Sequence, residues 1–354
     1  MNILFDVGHP AHVHFFKHPI RMLQEHGHRI TVTSRVKEFA LELLDEMGVQ
    51  HTPLSRLGKG GLFSLAKELI ERDLALLKVV RKNNIDIMAA IGGVSIAHVT
   101  RLTGVPSLVF YDTENATLQN LITYPFASLV LVPRCYSAWL PKNRHTRYPG
   151  YHELSYLHPS MFTPDREIAI KNGLAENGAT FFIRIVSWQA SHDVGEKGWS
   201  EELLVKVVSK LSDLGTVLIS SESPLNDTLV KYTYRGRLSE VHHVLAYCNA
   251  FIGESATMAS ECAVLGVPAI YAAATGRGYT DEQELRYGLV KNVREINWNT
   301  LEASLDSILH QSSDTWEKAR QQLLNETINV AEFITNSIES YPRPPAINQQ
   351  PVNY

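Results

Sequence analysis

The residues from Ala250 to Ile270 offer a place where a phosphorylated ligand could bind. They read as a buried strand, a tight loop, a short helix and a second buried strand. Gly253 permits the loop, and the hydroxyl of Ser255 can cap the helix, whose first amides stay unpaired beside the small Ala256. Because these amides and the helix dipole favour negative charge, we expect an anion such as a diphosphate here. A strand–loop–helix connection without a ligand would show the same pattern.

Glu261 lies further along the same helix, too far from the loop to meet the same phosphate. Its carboxylate could accept hydrogen bonds from the vicinal hydroxyls of a sugar such as ribose. The segment therefore offers one place for a diphosphate and another for a sugar diol.

A dense cluster of histidines follows the first predicted strand: His9, His12, His14 and His18. Imidazole titrates near neutrality, so one of them could act as a general base, and His12 and His14 are best placed at the start of the first helix. A metal site is the alternative, because His14 and His18 share a helix face. No carboxylate or cysteine has the local spacing to complete it, so we expect no metal ion.

Two carboxylates follow another predicted strand, Asp112 and Glu114. Either could serve as a general base or accept hydrogen bonds from sugar hydroxyls, and a simple loop cap is the alternative. The paired Gly92 and Gly93 also follow a strand, where they could admit a ligand close to the backbone or only form a tight turn.

Three further cationic or titratable side chains stand out in the second half of the chain. Arg184 lies within an apolar strand, so it is either ion-paired or directed at a ligand. His192 lies in the loop that follows this strand. Arg277 is flanked by glycines before an acidic helix start, as in a loop that closes on an anion.

Strands alternate with helices along most of the 354 residues, which predicts parallel, doubly wound α/β sheets. A Pro-rich stretch without periodicity near residue 150 divides the chain. We therefore predict one domain over residues 1–150, a second over 151–330 and a disordered tail over 342–354. Two α/β domains of similar size would leave a cleft between them for ligands.

Composition narrows the classes of partner. No apolar run reaches the length of a membrane span, there is no signal-peptide pattern, and the three cysteines lack redox or metal spacing, so we expect a cytoplasmic protein. Residues 1–150 carry a formal charge of +5 and the remainder −9. A basic N-terminal half suggests an anionic partner or peripheral contact with a membrane surface. No basic run interleaved with aromatic residues indicates nucleic acid.

Together these motifs resemble the DUF354 family and, more broadly, the GT-B superfamily of nucleotide-sugar enzymes. The resemblance is carried by the segments 8–14, 111–114, 191–195 and 253–268. The loop from Ser255 to Glu261 is also similar to the Ser-Gly-Gly-x-x-Glu-Glu loop of UDP-GlcNAc 2-epimerases. That resemblance implies that Ser255, Ala256 and Thr257 hold a diphosphate and that Glu261 holds ribose. This chain has Ala256 and Thr257 where the epimerases have two glycines.

The resemblance implies two Rossmann-like domains, with the nucleotide-sugar donor on the second and the acceptor on the more basic first. The expected reaction is transfer of a sugar, UDP-linked in the donor, to a glycan or a lipid-linked acceptor, with no metal and no cofactor. Epimerisation of a UDP-sugar and binding of a nucleotide sugar without turnover are the alternatives.

Overall fold

The computed structural model describes residues 1–36, 43–46, 48–56, 62–186 and 198–342. The chain forms two compact units. The first unit combines residues 1–161 with residues 328–354, and the second spans residues 162–327. The C-terminal segment thus returns to the first unit, an assignment that the sequence pattern did not suggest. The tail expected over 342–354 lies almost wholly outside the described residues.

All strands pair in parallel within two sheets, as the alternating pattern predicts. The strands are β1 (Asn2–Val7), β2 (Arg29–Val36), β3 (His51–Arg56), β4 (Ile87–Ile91), β5 (Ser107–Phe110), β6 (Leu129–Pro133), β7 (His145–Tyr148), β8 (Ala179–Ile185), β9 (Gly215–Ser221), β10 (Ala250–Gly253), β11 (Ala269–Ala272) and β12 (Val290–Val293). The first sheet has the order β3-β2-β1-β4-β5-β6-β7, and the second has the order β12-β11-β10-β8-β9.

The helices connect consecutive strands or follow the last strand of a unit. They are α1 (Pro10–Glu25), α2 (Leu62–Lys82), α3 (Val94–Thr103), α4 (Thr117–Thr123), α5 (Arg166–Lys171), α6 (Glu201–Ser212), α7 (Val241–Leu245), α8 (Ala256–Leu265), α9 (Gly278–Glu282), α10 (Trp298–Leu309), α11 (Ser313–Asn325) and α12 (Val330–Glu339). In the part of the chain that the structure describes, none of them is both long and apolar enough to cross a membrane.

The core of the first unit is built on β1 and α1. Phe5 of β1 meets Phe16 of α1 at a ring distance of 4.9 Å, and Phe15 meets Phe110 of β5 at 5.3 Å. These four side chains are fully buried, because α1 turns its apolar stripe toward the sheet. Burial of this stripe fixes the start of α1 against the end of β1, where the histidine cluster lies.

The strand order reverses between β1 and β4, which is the switch point of a doubly wound sheet. Ligands of such sheets bind beyond the carboxyl ends of the strands at this point. In the first unit, that edge carries the residues that follow β1, β4 and β5.

Candidate functional site

The carboxyl edge of the first sheet brings together residues that are far apart in sequence. Strands β1, β4 and β5 are neighbours, with Asp6 in register with Ala90 and Ile91 in register with Phe110. Because the strands are parallel, the residues that follow them emerge at one edge. The histidine cluster, the paired glycines and Asp112 therefore share this edge, as the sequence predicts.

Asp112 is paired with His152, a residue that the sequence analysis did not select. Asp112 Oδ2 lies 3.1 Å from His152 Nδ1. His152 opens a 3₁₀ helix, His152–Ser155, and is only 6% exposed. This helix is fixed to α1, because Ser155 Oγ donates to the Phe15 carbonyl and the ring of Phe15 lies 4.3 Å from that of His152.

The contact with Asp112 determines which ring nitrogen of His152 carries the proton. Burial would raise the pKa of the Asp112 carboxyl, but His152, the Thr113 hydroxyl and His12 lower that pKa to about 2. Asp112 is therefore ionised at neutral pH and accepts a hydrogen bond from His152 Nδ1–H. In the neutral imidazole this leaves the lone pair on Nε2, and that buried nitrogen has no hydrogen-bond partner among the described residues. A histidine in this state can accept a proton.

In His12 the proton lies on the other ring nitrogen. The Gly8 amide donates to His12 Nδ1 at 3.2 Å, so the proton of the neutral ring is on Nε2. In this orientation His12 Nε2 is a donor, which suits it to hold a hydroxyl rather than to deprotonate one. His9 accepts from the Ala11 amide through Nδ1 and so caps α1.

The other predicted catalytic residues of the first unit lie farther along the same elements. The ring of His14 stacks on that of Tyr156 at 5.3 Å. Burial, with the nearby Lys17 and Arg21, lowers the pKa of His18 to about 4, so this ring is neutral at physiological pH. Glu114 is half-buried and lies near the tyrosines that pack under α4. The base roles of His14 and Glu114 stay predictions.

The backbone conformation of the turn after β4 explains the paired glycines. Gly92 and Gly93 both have positive φ, at 72° and 44°, and Gly93 precedes the first residue of α3. A Cβ atom on Gly93 would come within 2.6 Å of the Val109 side chain. The turn alone therefore requires glycine at this position.

In the second unit, the predicted diphosphate loop has the expected local geometry. Ser255 caps α8, and its hydroxyl accepts from the Met258 amide at 3.2 Å. A Cβ atom on Gly253 would lie 2.2 Å from the Arg184 carbonyl oxygen, so the close approach of β8 and β10 demands glycine. Ala256 and Thr257 form the first turn of α8. Their contact with a diphosphate stays a prediction.

Glu261 is buried and bonded within the second unit. Its Oε1 lies 2.9 Å from Nε2 of His242 on α7, and both side chains are almost fully buried. A ribose contact would therefore be made by a carboxylate that His242 already orients. His242 was not predicted, because nothing in the sequence near α7 marks it as the partner of a residue on α8.

Arg184 has one partner on β9 and one in the residue that follows it. Its Nη1 donates to Ser220 Oγ at 2.7 Å, and its Nη2 is 2.5 Å from Glu222 Oε1. Of the two alternatives left by the sequence, the ion pair is the one observed. The diphosphate contact of Arg184 stays a prediction.

Glu254 was missed in the sequence although it adjoins the predicted loop. Its Oε2 accepts from the Val186 amide at 3.0 Å and its Oε1 accepts from the Trp199 amide at 2.8 Å. This almost fully buried carboxylate thus joins the described residues on either side of 187–197. The predicted site residue His192 lies within 187–197 and so outside the described residues.

Arg277 lies at the start of α9, where its Nη1 donates to the Gly276 carbonyl. A second arginine holds this loop. Arg294 donates to the Thr275 carbonyl at 2.8 Å and to Asp281 Oδ1 at 2.7 Å. The anion contact of Arg277 stays a prediction.

A family model described as a protein of unknown function, DUF354, matches residues 1–282. The chain belongs to the DUF354 family. This confirms the family resemblance drawn from the motifs. An uncharacterised protein of Methanocaldococcus jannaschii is 22% identical over 285 residues, which cover 76% of this chain and 81% of that protein.

Solved structures share the fold across both units. The UDP-GlcNAc 2-epimerase of Neisseria meningitidis bound to UDP-GlcNAc aligns with a TM-score of 0.67 and 14% identity, over 94% of this chain and 98% of that one. A UDP complex of MnaA from S. aureus aligns with a TM-score of 0.68 and 12% identity, over 100% of this chain and 99% of that one. The glycotransferase of kitacinnamycin aligns with a TM-score of 0.65 and 12% identity, over 94% of this chain and 98% of that one.

These likenesses confirm the predicted fold class, a GT-B-like α/β fold. They leave open which reaction the DUF354 chain performs, since glycosyltransferases and epimerases occur among them. Within the described ranges, no three His, Cys, Asp or Glu side chains come together in a way that could hold a metal ion.

Proposed function

We propose that this protein transfers a sugar from a UDP-linked donor to a hydroxyl of a glycan or a lipid-linked acceptor. The observation that carries the proposal is the Asp112–His152 pair at the carboxyl edge of the first sheet. An ionised aspartate that holds the Nδ1 proton of a histidine leaves Nε2 as a base, and it stabilises the imidazolium that forms.

In the proposed reaction, the acceptor hydroxyl gives its proton to His152 Nε2, which is buried here and must become accessible when the acceptor binds. The acceptor oxygen then forms a bond to the anomeric carbon, and the bond from that carbon to the diphosphate breaks, so that UDP leaves with the electron pair. His12 Nε2 would donate a hydrogen bond that holds the acceptor. The proposal thus moves the base from His12 or His14, the candidates that the sequence favours, to His152.

The second unit would supply the donor site. Its support is the start of α8, where the Ser255 cap leaves further backbone amides directed at the loop. Such amides stabilise the charge that develops on a departing diphosphate. The likeness to structures that hold UDP or UDP-GlcNAc supports a UDP-linked donor.

Epimerisation of a UDP-sugar is the second candidate. One specific observation favours it: His152 Nε2 is a proton acceptor and His12 Nε2 a hydrogen-bond donor at the same edge of the first sheet, and an epimerase needs both kinds of group around the sugar. The two reactions give different products from the same donor.

The test is incubation of the protein with a panel of nucleotide sugars, with and without a mixture of glycan and lipid-linked acceptors, followed by mass spectrometry and chromatography. Stoichiometric UDP and a glycosylated acceptor are expected. An isomeric UDP-sugar without free UDP would establish the epimerase instead. Tight binding of a nucleotide sugar with no product would establish a binding protein.

The assignment of the base has its own matched pair of variants. His152→Gln should lower turnover by about two to four powers of ten while nucleotide binding is kept. His158→Gln, in the same segment but with its ring bonded to Ser160, is the control and should keep full turnover. Full activity in His152→Gln would remove this residue from the mechanism.

A further inference from the structure

The first unit exposes a group of large apolar side chains on one layer of helices. They belong to α3, to α4 and to the segment between α4 and β7, and each is between 39% and 67% exposed. We call this group the α3–α4 patch; it consists of Leu102, Leu118, Leu121, Phe126 and Trp139. Single exposed apolar residues are normal on a protein surface, but grouped ones mark a place of interaction.

Two ring contacts attach members of the patch to neighbouring elements. The ring of Phe126 lies 5.5 Å from that of His98 on α3, one turn before Leu102. The ring of Trp139 lies 5.0 Å from that of Tyr124, which follows α4. Leu118 and Leu121 are one turn apart on α4 itself, and both are more than half exposed.

Basic side chains border the patch. Arg101 precedes Leu102 at the end of α3, and Lys142 is exposed in the segment before β7. Arg144 donates to the Ala127 carbonyl at 2.7 Å, which places it beside Phe126. The chain has no Asp or Glu from residue 115 to residue 152, whereas the same stretch contains four Lys and Arg.

We propose that the α3–α4 patch docks this protein on an anionic lipid bilayer. Leucine, phenylalanine and tryptophan side chains enter the boundary between headgroups and acyl chains, and lysine and arginine attract anionic headgroups. The patch supplies the apolar side chains, and its border supplies the basic ones. A second copy of the chain is disfavoured as the occupant, because a symmetric contact would bring two basic borders together.

The patch lies in the basic N-terminal half of the chain, for which the sequence suggests a membrane contact. Docking through it needs neither UDP nor sugar transfer, so its success or failure is independent of the proposed function.

The test is co-sedimentation of the full chain with vesicles of phosphatidylcholine alone and of phosphatidylcholine mixed with phosphatidylglycerol. Binding is expected only to the mixed vesicles and should weaken at high sodium chloride, which screens the headgroup charge. Absence of binding to the mixed vesicles would overturn the proposal.

Two variants separate the apolar and the charged contributions. Leu118→Ser with Leu121→Ser should lower the vesicle partition constant by about tenfold or more, because two leucines no longer enter the bilayer. Arg101→Glu with Lys142→Glu should lower it by about thirtyfold or more, at roughly 1 kcal/mol for each basic residue.

Matched controls come from the second unit, where Leu285 and Leu238 are exposed and Lys171 ends α5. Leu285→Ser with Leu238→Ser, and separately Lys171→Glu, should leave vesicle binding unchanged. Equal losses in the controls and in the patch variants would overturn the proposal, because binding would not depend on the patch. Self-association in light scattering that Leu118→Ser with Leu121→Ser abolishes, without vesicle binding, would also overturn it and assign the patch to a second copy.

Discussion

The carboxylate of Asp112 and the imidazole of His152 join two segments of the first unit that follow different strands, at a separation of 3.1 Å. Asp112 comes two residues after β5, and His152 comes four residues after β7. The contact crosses β6, which lies between these two strands in the sheet. The pair therefore exists only when three strands of this sheet are assembled.

Asp112→Asn should lower turnover by about two to four powers of ten, because the neutral amide no longer stabilises the imidazolium of His152. UDP affinity should be unchanged, since Asp112 lies in the first unit. Steady-state kinetics and calorimetry with UDP measure the two quantities. Asp213→Asn replaces an exposed aspartate at the end of α6 and is the control. Equal turnover in both variants would refute the role of Asp112.

Glu261→Gln should weaken UDP binding by about 1–3 kcal/mol if the carboxylate holds ribose, because a charge-assisted hydrogen bond becomes a neutral one. The amide oxygen can still accept from His242, so the melting temperature should change little. Calorimetry with UDP and a thermal melt are run on the same sample. Unchanged UDP affinity would leave Glu261 with a structural role, in its contact with His242.

Arg184→Lys tests the two roles of that side chain. Lysine cannot bond Ser220 and Glu222 with one planar group, so the melting temperature should fall. If the observed ion pair is the whole role of Arg184, turnover per folded molecule should stay at the level of the unaltered protein. A fall in the melting temperature of similar size in Glu222→Gln would confirm the ion pair. Turnover that falls in Arg184→Lys but not in Glu222→Gln would instead indicate contact with the diphosphate.

The pair of His98 and Asp73 predicts a dependence of stability on pH. The hydrogen bond from His98 to Asp73 raises the pKa of His98 above 6.5, although burial opposes it. The native protein then holds this proton more tightly than the unfolded chain. The stabilisation is complete below pH 6.5 and is lost as the pH rises through the pKa of the folded protein.

Urea unfolding measured on either side of neutrality gives the slope of the free energy of unfolding against pH, to which this pair contributes a fall and the neutral, buried His18 a rise. Asp73→Asn should make that slope more positive, whereas His145→Gln, at an exposed histidine of β7, should not. A slope that survives unchanged in Asp73→Asn would show that another group is responsible.

The interior strands and the edge strand β9 could be predicted from sequence, but the other three edge strands could not. Strands β1, β4, β5, β8 and β10 are short apolar runs because both faces of a parallel sheet are covered. In contrast β3, β7 and β12 form sheet edges, and their sequences are polar or contain proline. Only pairing with a neighbour makes these segments strands, so their own patterns do not reveal them.

Some residues of the candidate site could likewise be predicted from sequence, and others could not. Residues that follow an apolar strand, such as Asp112 and Ser255, were predictable because the strand fixes their edge. His152 was not, since it reaches Asp112 through β7 and a 3₁₀ helix within a stretch that the sequence presented as a connection. Glu254 and His242 were missed because their roles are hydrogen bonds to segments that are distant in sequence.

The return of α12 to the first unit constrains how the chain can be made. Thr335 of α12 reaches Met22 of α1, and Glu339 bonds both His26 and His28. On a ribosome, the outer surface of α1 stays uncovered until α12 has emerged. The second unit, which is one uninterrupted segment, can close meanwhile. Premature termination anywhere before residue 330 would thus release a chain whose earliest part is unfinished.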